Sequence, residues 1–353
     1  MKNKIQILIA TLAMAAVVMI IAVPAHALDF SISGQVNRAA LYADDGTTAK
    51  WFFVDNDNSS TRFRFRGSND FENGWKVGFL WEVEMQSNAS NKVSMENDED
   101  TTDVHFDERH MDIWIEKWGT LRLGQGDTAS NGTAEVDLSG TAVAAYSDIG
   151  AVGGGFEFRD GDEKSGITVG ASRSNFDGLS RKDRVRYDTP RWAGVFASGS
   201  VEQQSQFDIA ARYAGDFGWA RFAAAGGYAN FGTSSDTKDW QFSSSASMFF
   251  DFGLNLTASY AYQDRDNSDD PWNLFGKIGY QFLEKHAASV QYSRTKNRSD
   301  DDDYGDTFGV AYVFTPWKSV ELYGTYYLHM LERDDYDDPD NIHIVMTGAR
   351  IKF

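Results

Sequence analysis

The chain has 353 residues, 52 of them acidic and 33 basic, and a net charge of −19. That balance excludes nucleic acid as a partner, because phosphate binding needs basic surface. With no cysteine, 32 glycines and 14% aromatics, the composition suits a β-barrel better than a disulfide-stapled secreted domain.

In chain order, the first element is an export signal. Lys2 and Lys4 precede an apolar run from Ile5 to Val23, and Pro24-Ala25-His26-Ala27 supplies small residues where a signal peptidase reads. Cleavage is expected after Ala27, which makes residues 1–27 a signal peptide and 28–353 one domain. No later run is long and apolar enough for a membrane helix. Mean hydropathy is −0.45. The five prolines fall in the signal, in turns or at strand starts, which leaves strand interiors clear.

Strands are predicted at Phe30–Tyr42, Ser59–Asn69, Trp75–Gln86, Arg109–Lys117 and Thr120–Gly126. After a long irregular stretch come Arg184–Asp188, Ala193–Gln203, Gln206–Ala214, Trp219–Asn230, Asp239–Phe250 and Leu254–Asp264. The last are Trp272–Phe282, His286–Lys296, Gly305–Phe314, Ser319–Met330 and Ile342–Phe353. This gives about 16 strands, an even number, as a closed antiparallel transmembrane barrel requires. Trp75–Met85 alternates most cleanly: Trp75, Val77, Phe79, Trp81, Val83 and Met85 share one face, and Glu82 and Glu84 share the other. That suits lipid on one side and a wet lumen on the other.

Short turns, such as Lys117–Thr120 and Leu283–Lys285, alternate with longer acidic loops, such as Ala43–Asn58 and Ser87–Glu108. Trp75, Trp118, Trp192, Trp219 and Trp317 flank the short side. Trp51, Trp240 and Trp272 flank the long side, as two interfacial belts would. Phe353 closes the last strand, with Ile351 and Ala349 expected outward. Ile342, Ile344 and Met346 take the opposite parity, so a bulge or a subunit contact is expected near Val345–Thr347.

Four stretches resemble the Gram-negative general porin family. They are Ser60–Gly67; Arg109–Ile115 with Trp118–Gln125; Arg184–Pro190 with Ala193-Gly194; and the terminal Phe353. The resemblance implies a 16-stranded homotrimeric barrel in the bacterial outer membrane. Its partners would be a second and third copy of the chain, outer-membrane lipid, lipopolysaccharide and small hydrophilic solutes. It also implies that residues 127–183 form a constriction loop folded into the lumen. Within that stretch, Gly153–Phe158 and Gly166–Gly170 raise an alternative of about 18 strands, if they add a hairpin to the wall.

Arg62, Arg64 and Arg66 alternate with Phe63 and Phe65, so the three guanidinium groups share one face. A lipid-facing arginine would cost about 2–4 kcal/mol at the midplane, so that face should be the lumen. Arg122 points inward by the same rule. The resemblance sets this column against loop acids, for which Glu135, Asp137 and Asp148 are the candidates. Arg109 matches the family pattern too, but shares parity with outward Met111, Ile113 and Ile115. Only a bulge would turn it in.

Asp300, Asp302, Asp335 and Asp337 lie in acidic outer loops suited to Ca²⁺ or Mg²⁺. A solvated acidic mouth that concentrates cations is the plainer reading of the same loops. No other cofactor is implied. Catalytic signals are weak: there is no Gly-x-Ser-x-Gly motif, the histidines lack zinc-ligand spacing, and Gly124–Ala129 fits a dinucleotide fingerprint without the βαβ unit it needs. The function expected is passive diffusion of ions and small hydrophilic solutes, with a mild cation preference. The alternatives are a solute-specific channel, a barrel enzyme with His105 at its rim, or an envelope anchor.

Overall fold

The computed structural model describes residues 28–99 and 106–353. The expected signal peptide and His105 lie outside the described residues. The strands are β1 (Asp29–Asp44), β2 (Ala49–Asp55), β3 (Arg62–Asp70), β4 (Lys76–Glu84), β5 (Asp107–Glu116), β6 (Thr120–Asp127), β7 (Glu157–Asp160), β8 (Glu163–Thr168), β9 (Arg181–Asp188) and β10 (Val195–Glu202). They continue with β11 (Phe207–Asp216), β12 (Ala220–Asn230), β13 (Lys238–Phe250), β14 (Leu254–Arg265), β15 (Trp272–Phe282), β16 (His286–Lys296), β17 (Tyr304–Trp317), β18 (Val320–Glu332) and β19 (Ile342–Lys352).

All but β7 and β8 join one antiparallel sheet, which closes where β1 pairs with β19 from Gln35↔Lys352 to Asp44↔His343. On its other edge β1 meets β3 through Asp29–Gln35 and β2 through Arg38–Asp44. Two chain segments therefore share one wall position, and the barrel has 16 strands. Between them the chain steps aside in a single 3-10 turn, Asp57–Ser59, capped by Asn56. The expected hairpin within 127–183 exists as β7 and β8, but it forms a separate two-stranded sheet and adds nothing to the wall.

The outer face is an apolar surface: Phe30, Ile32, Leu256, Leu274, Ile278, Val290 and Phe308 are all exposed in the isolated chain. At the short-turn rim stand Trp118, Trp192, Trp219, Trp317 and Phe353. Trp75 meets Trp118 at 5.6 Å, with the Lys117 ammonium 5.1 Å over each ring.

The sequence reading fails at two places, for one reason. Ala43–Asn58 was expected to be a loop, yet it contains β2. Of the bulge or subunit contact expected near Val345–Thr347, the bulge is absent, since the register of β19 runs unbroken against both neighbours. Ile342, Ile344 and Met346 keep the inward parity of Arg350 and Lys352 and are fully buried inside the barrel. There they join Leu41, Phe52, Val54, Tyr323 and Tyr327 in a dry core, packed against Val143, Val152, Phe156, Phe158 and Val169 of the inserted segment. Gly153 permits this approach: its φ is 79°, and a Cβ there would lie 1.9 Å from Ile344 Cδ1. The interior beside β1, β2, β18 and β19 is thus a protein core rather than water.

Candidate functional site

The segment between β6 and β9 runs along the inside of the wall. Its first turn hangs on Asp208 of β11, which is almost wholly buried. That carboxylate accepts bonds from Ala129 N (3.1 Å), Ser130 N (2.7 Å) and Ser130 Oγ (2.5 Å). A ladder of inward serines on β13 follows. Ser243 meets Thr133 Oγ1 (2.6 Å), while Ser245 and Ser247 accept from Val136 N and Leu138 N (both 2.9 Å). Lys277 of β15 donates to Asp137 at 2.6 Å and to Ala145 O, out of reach of solvent. On the far side Arg173 donates to Thr307 Oγ1 (2.7 Å), Asp306 O (2.6 Å) and Met330 O (2.5 Å). The serine run Ser243-Ser244-Ser245 was the sequence signal for this docking, and it went unread.

The hairpin β7–β8 rises from the segment to the outer rim. Arg159 pairs with Asp45 (2.9 Å) and Glu96, and its carbonyl accepts from Asp340 N (2.6 Å). Three outer loops are tied to it.

The charged side chains of the interior cluster on β3–β6 and β9–β11. Glu82 is their centre: Arg64 Nε donates to it at 2.6 Å, and Arg109, Arg62 and His110 stand at 3.2, 3.5 and 3.7 Å. Arg109 reaches this group because β5 bulges there. Glu82 faces His110 and Val83 faces Glu108, which leaves Arg109 as the extra residue. It also binds Glu84 at 2.7 Å. Arg66 sits lower, 5.7 Å from the Trp114 ring. Arg122 lies apart from the central group, at 3.8 Å from Asp112 and 3.6 Å from Asp188.

Of the three loop acids predicted to face this column, two gather near it and one does not. Glu135 accepts from Asn175 Nδ2 at 3.0 Å and lies within electrostatic reach of Asp148, Asp177 and Arg181. Burial and these neighbouring carboxylates push the Glu135 carboxyl well up. Burial and Asp57 push Asp148 up to about 7. Asp137 instead points to the opposite wall as the partner of Lys277. Asp57 and Asp177 complete the acidic group and had no signal in the sequence, since Asp57 arrives only through the turn between β2 and β3.

Because the folded pKa of Asp148 is raised above its ordinary 3.8, its ionised form opposes folding. That cost is fully present above about pH 7 and relieved as the pH falls toward 4. The lumen charge follows the same window. The ratio of cation to anion permeability is expected to rise between pH 5 and pH 8, and Asp148→Asn should flatten the rise. Reversal potentials under a KCl gradient at each pH measure it.

The outer-loop acids do not converge. Asp300 lies 3.8 Å from Arg333, Asp302 pairs with Lys296 at 2.6 Å, and Asp335 and Asp337 are exposed. Among the described residues no group of acids or histidines is placed to hold a metal ion, so the expected divalent-ion cluster has no geometry here.

No curated protein sequence matches this chain. Several solved structures share its fold. An anion-selective porin from Comamonas acidovorans is similar over 92% of this chain and 100% of its own, at 16% identity and a TM-score of 0.63. The outer membrane channel DcaP of Acinetobacter baumannii is similar over 93% and 98%, at 13% identity and 0.62. OmpT of Vibrio cholerae, in a trimer form, is similar over 93% and 100%, at 13% identity and 0.59. A sequence profile for Gram-negative porins matches residues 10–334. A closed barrel with an apolar outer belt, a charged inner passage and this profile match leads to one conclusion: the chain belongs to the Gram-negative porin family and is a passive diffusion channel of the outer membrane.

Proposed function

We propose that small ions and hydrophilic solutes cross beside the inserted segment, between its acids Glu135, Asp148 and Asp177 and the wall cations Arg62, Arg109 and Arg181. The observation that carries this reading is the division of the interior. One side is sealed by an apolar core, and the other carries opposed charges, where a transverse field orients polar solutes. The segment acts as the constriction. At neutral pH a mild preference for cations follows from the acidic loops at the mouth. Stepwise conductance in a planar bilayer, with a reversal potential of cationic sign under a KCl gradient, is the expected result. An electrically silent barrel would sink the proposal, and anion preference at pH 7 would sink its selectivity.

We read the chain as a channel without catalytic chemistry. His110 is held between Glu82 and Asp127, and His329, although it touches Thr307, is sealed from solvent.

The channel works as a homotrimer. Arg38 has the outward parity of Val36 and Tyr42, yet its guanidinium is 43% exposed, and it reaches only Ser87 O (2.7 Å) and Asp55 (3.7 Å). Beside it Trp51 and Phe53 are exposed, on a strand whose ladder partner is β1 and whose other edge meets only the short stretch Asn88–Ser90. An outward arginine and interrupted backbone are costly against lipid, so a second copy covering this wall supplies the compensation. The trimer form of the Vibrio cholerae protein is consistent with it. Analytical ultracentrifugation in detergent should give three copies for the native chain and monomers for Trp51→Ala/Phe53→Ala. A native monomer would refute the assignment.

A further inference from the structure

Lys238 and Arg265 are cross-strand partners at the outer ends of β13 and β14. Like charges directly opposite one another destabilise a sheet. Arg298, just beyond β16, adds a third cation close enough to repel both. Among the described residues none of the three makes an ion pair. Their neighbours Arg294, Lys296 and Arg333 each have a carboxylate partner. Acids outnumber bases in this chain by 19, so the lack of a partner is not for want of carboxylates.

The nearest carboxylates are turned elsewhere. Asp270 accepts from Arg265 N and from Tyr262 OH, and Asp301 accepts from Asp269 N. The Arg265 guanidinium touches only neutral oxygens, Gln263 Oε1 at 3.1 Å and Asn297 O at 3.4 Å. Arg298 Nε is buried without a hydrogen-bond partner, and that burial holds its pKa below the ordinary value.

Two of these cations, Lys238 and Arg298, line a space. Lys238 and Arg298 border a cavity of about 190 Å³ with Gln241 and Gln263. Lys238 also borders an adjoining cavity of about 400 Å³ with Lys182 and Gln206. Asp177 lines the smaller one, but its carboxylate is occupied by Gly132 N (2.6 Å) and Ala134 N (2.8 Å). Phe231 closes both cavities, with the Lys238 ammonium 5.8 Å from its ring. Gln241 and Gln263 each spend one amide hydrogen within the wall, on Gly178 O and Gln241 Oε1, and two unpaired cations facing one cavity make an oxyanion receptor by chemistry. Asp270 and Asp301 act on Arg265, whereas no carboxylate within electrostatic reach acts on Lys238 or Arg298.

We propose that this cavity is an oxyanion station at the mouth of the channel, taking a free solute that carries two or more carboxylate or phosphate groups. The inference rests on the channel reading above and names a class of solute for it.

Citrate is the probe. Titrated calorimetrically into the full-length protein in detergent, freed of lipopolysaccharide, it should bind saturably at low salt. Lys238→Gln/Arg298→Gln should weaken binding by about tenfold per lost charge-assisted contact, and Lys238→Arg should retain it. Equal binding to the native protein and the double variant, or none to either, overturns the site. Displacement of citrate by added lipopolysaccharide also overturns it, since the occupant would then be a lipid headgroup. KCl conductance recorded on the same preparations separates the two readings. A double variant that conducts normally but no longer binds citrate supports the station. A protein that binds citrate but does not conduct leaves the station standing and removes the channel reading.

Discussion

Glu82→Gln is expected to turn the passage toward anions. The carboxylate of Glu82 is 1% exposed and stands among Arg62, Arg64, Arg109 and His110. Amidation keeps the side chain's shape and removes the one charge these groups share. A unit charge about 4 Å from an ion path is worth roughly 1 kcal/mol in water. The permeability ratio of K⁺ to Cl⁻ should therefore fall roughly five-fold. Arg64 keeps 46% of its side-chain surface in the lumen, so water takes over part of its solvation and the barrel should remain folded. An unchanged reversal potential would mean that ions pass elsewhere, and would move the constriction away from β3–β5.

The second large effect is at the other wall. Lys277→Met leaves Asp137 without its counter-ion, held only by Ser139 N (2.7 Å), in a site closed to solvent. Breaking a buried pair from one side costs about 3–5 kcal/mol, whereas replacing both partners with apolar groups is often neutral. The single variant should lower the denaturation midpoint and make single-channel current noisier, as the Asp137–Ala145 stretch loosens from β13 and β15. Lys277→Met/Asp137→Leu should restore both. If the single and double variants behave alike, the pair does not hold the segment.

The barrel was legible because period-two alternation survives wherever one face meets lipid and the other water. Trp272–Phe282 and His286–Lys296 were placed to the residue. The same rule hid β2. In Ala49–Asp55, Trp51 and Phe53 face out while Phe52 and Val54 face a dry core, so the strand is apolar on both sides and looked like no wall strand. Ile342, Ile344 and Met346 misled for the same reason. Alternation reports polarity, and polarity reports the lumen only where the lumen is wet.

The candidate site was legible on the wall and much less so on the loop. Arg62, Arg64 and Arg66 follow from spacing alone. Arg109 required a bulge, which leaves no mark in composition. Asp137 could not be told from Glu135 or Asp148, because its partner Lys277 is 140 residues away in the chain.

The apolar core inside the barrel also constrains how the protein is assembled. Its inner surface is divided between the first and last strands, through Leu41 on β1 and Ile342, Ile344 and Met346 on β19, with Phe156 and Phe158 between them. A chain still lacking its C-terminal strand would present those phenylalanines to water from an unfinished cylinder. Zipping of the seam and capture of the segment are therefore expected to be one cooperative event, in which the eleven residues of β19 complete the lining of the lumen in the same step that completes the wall.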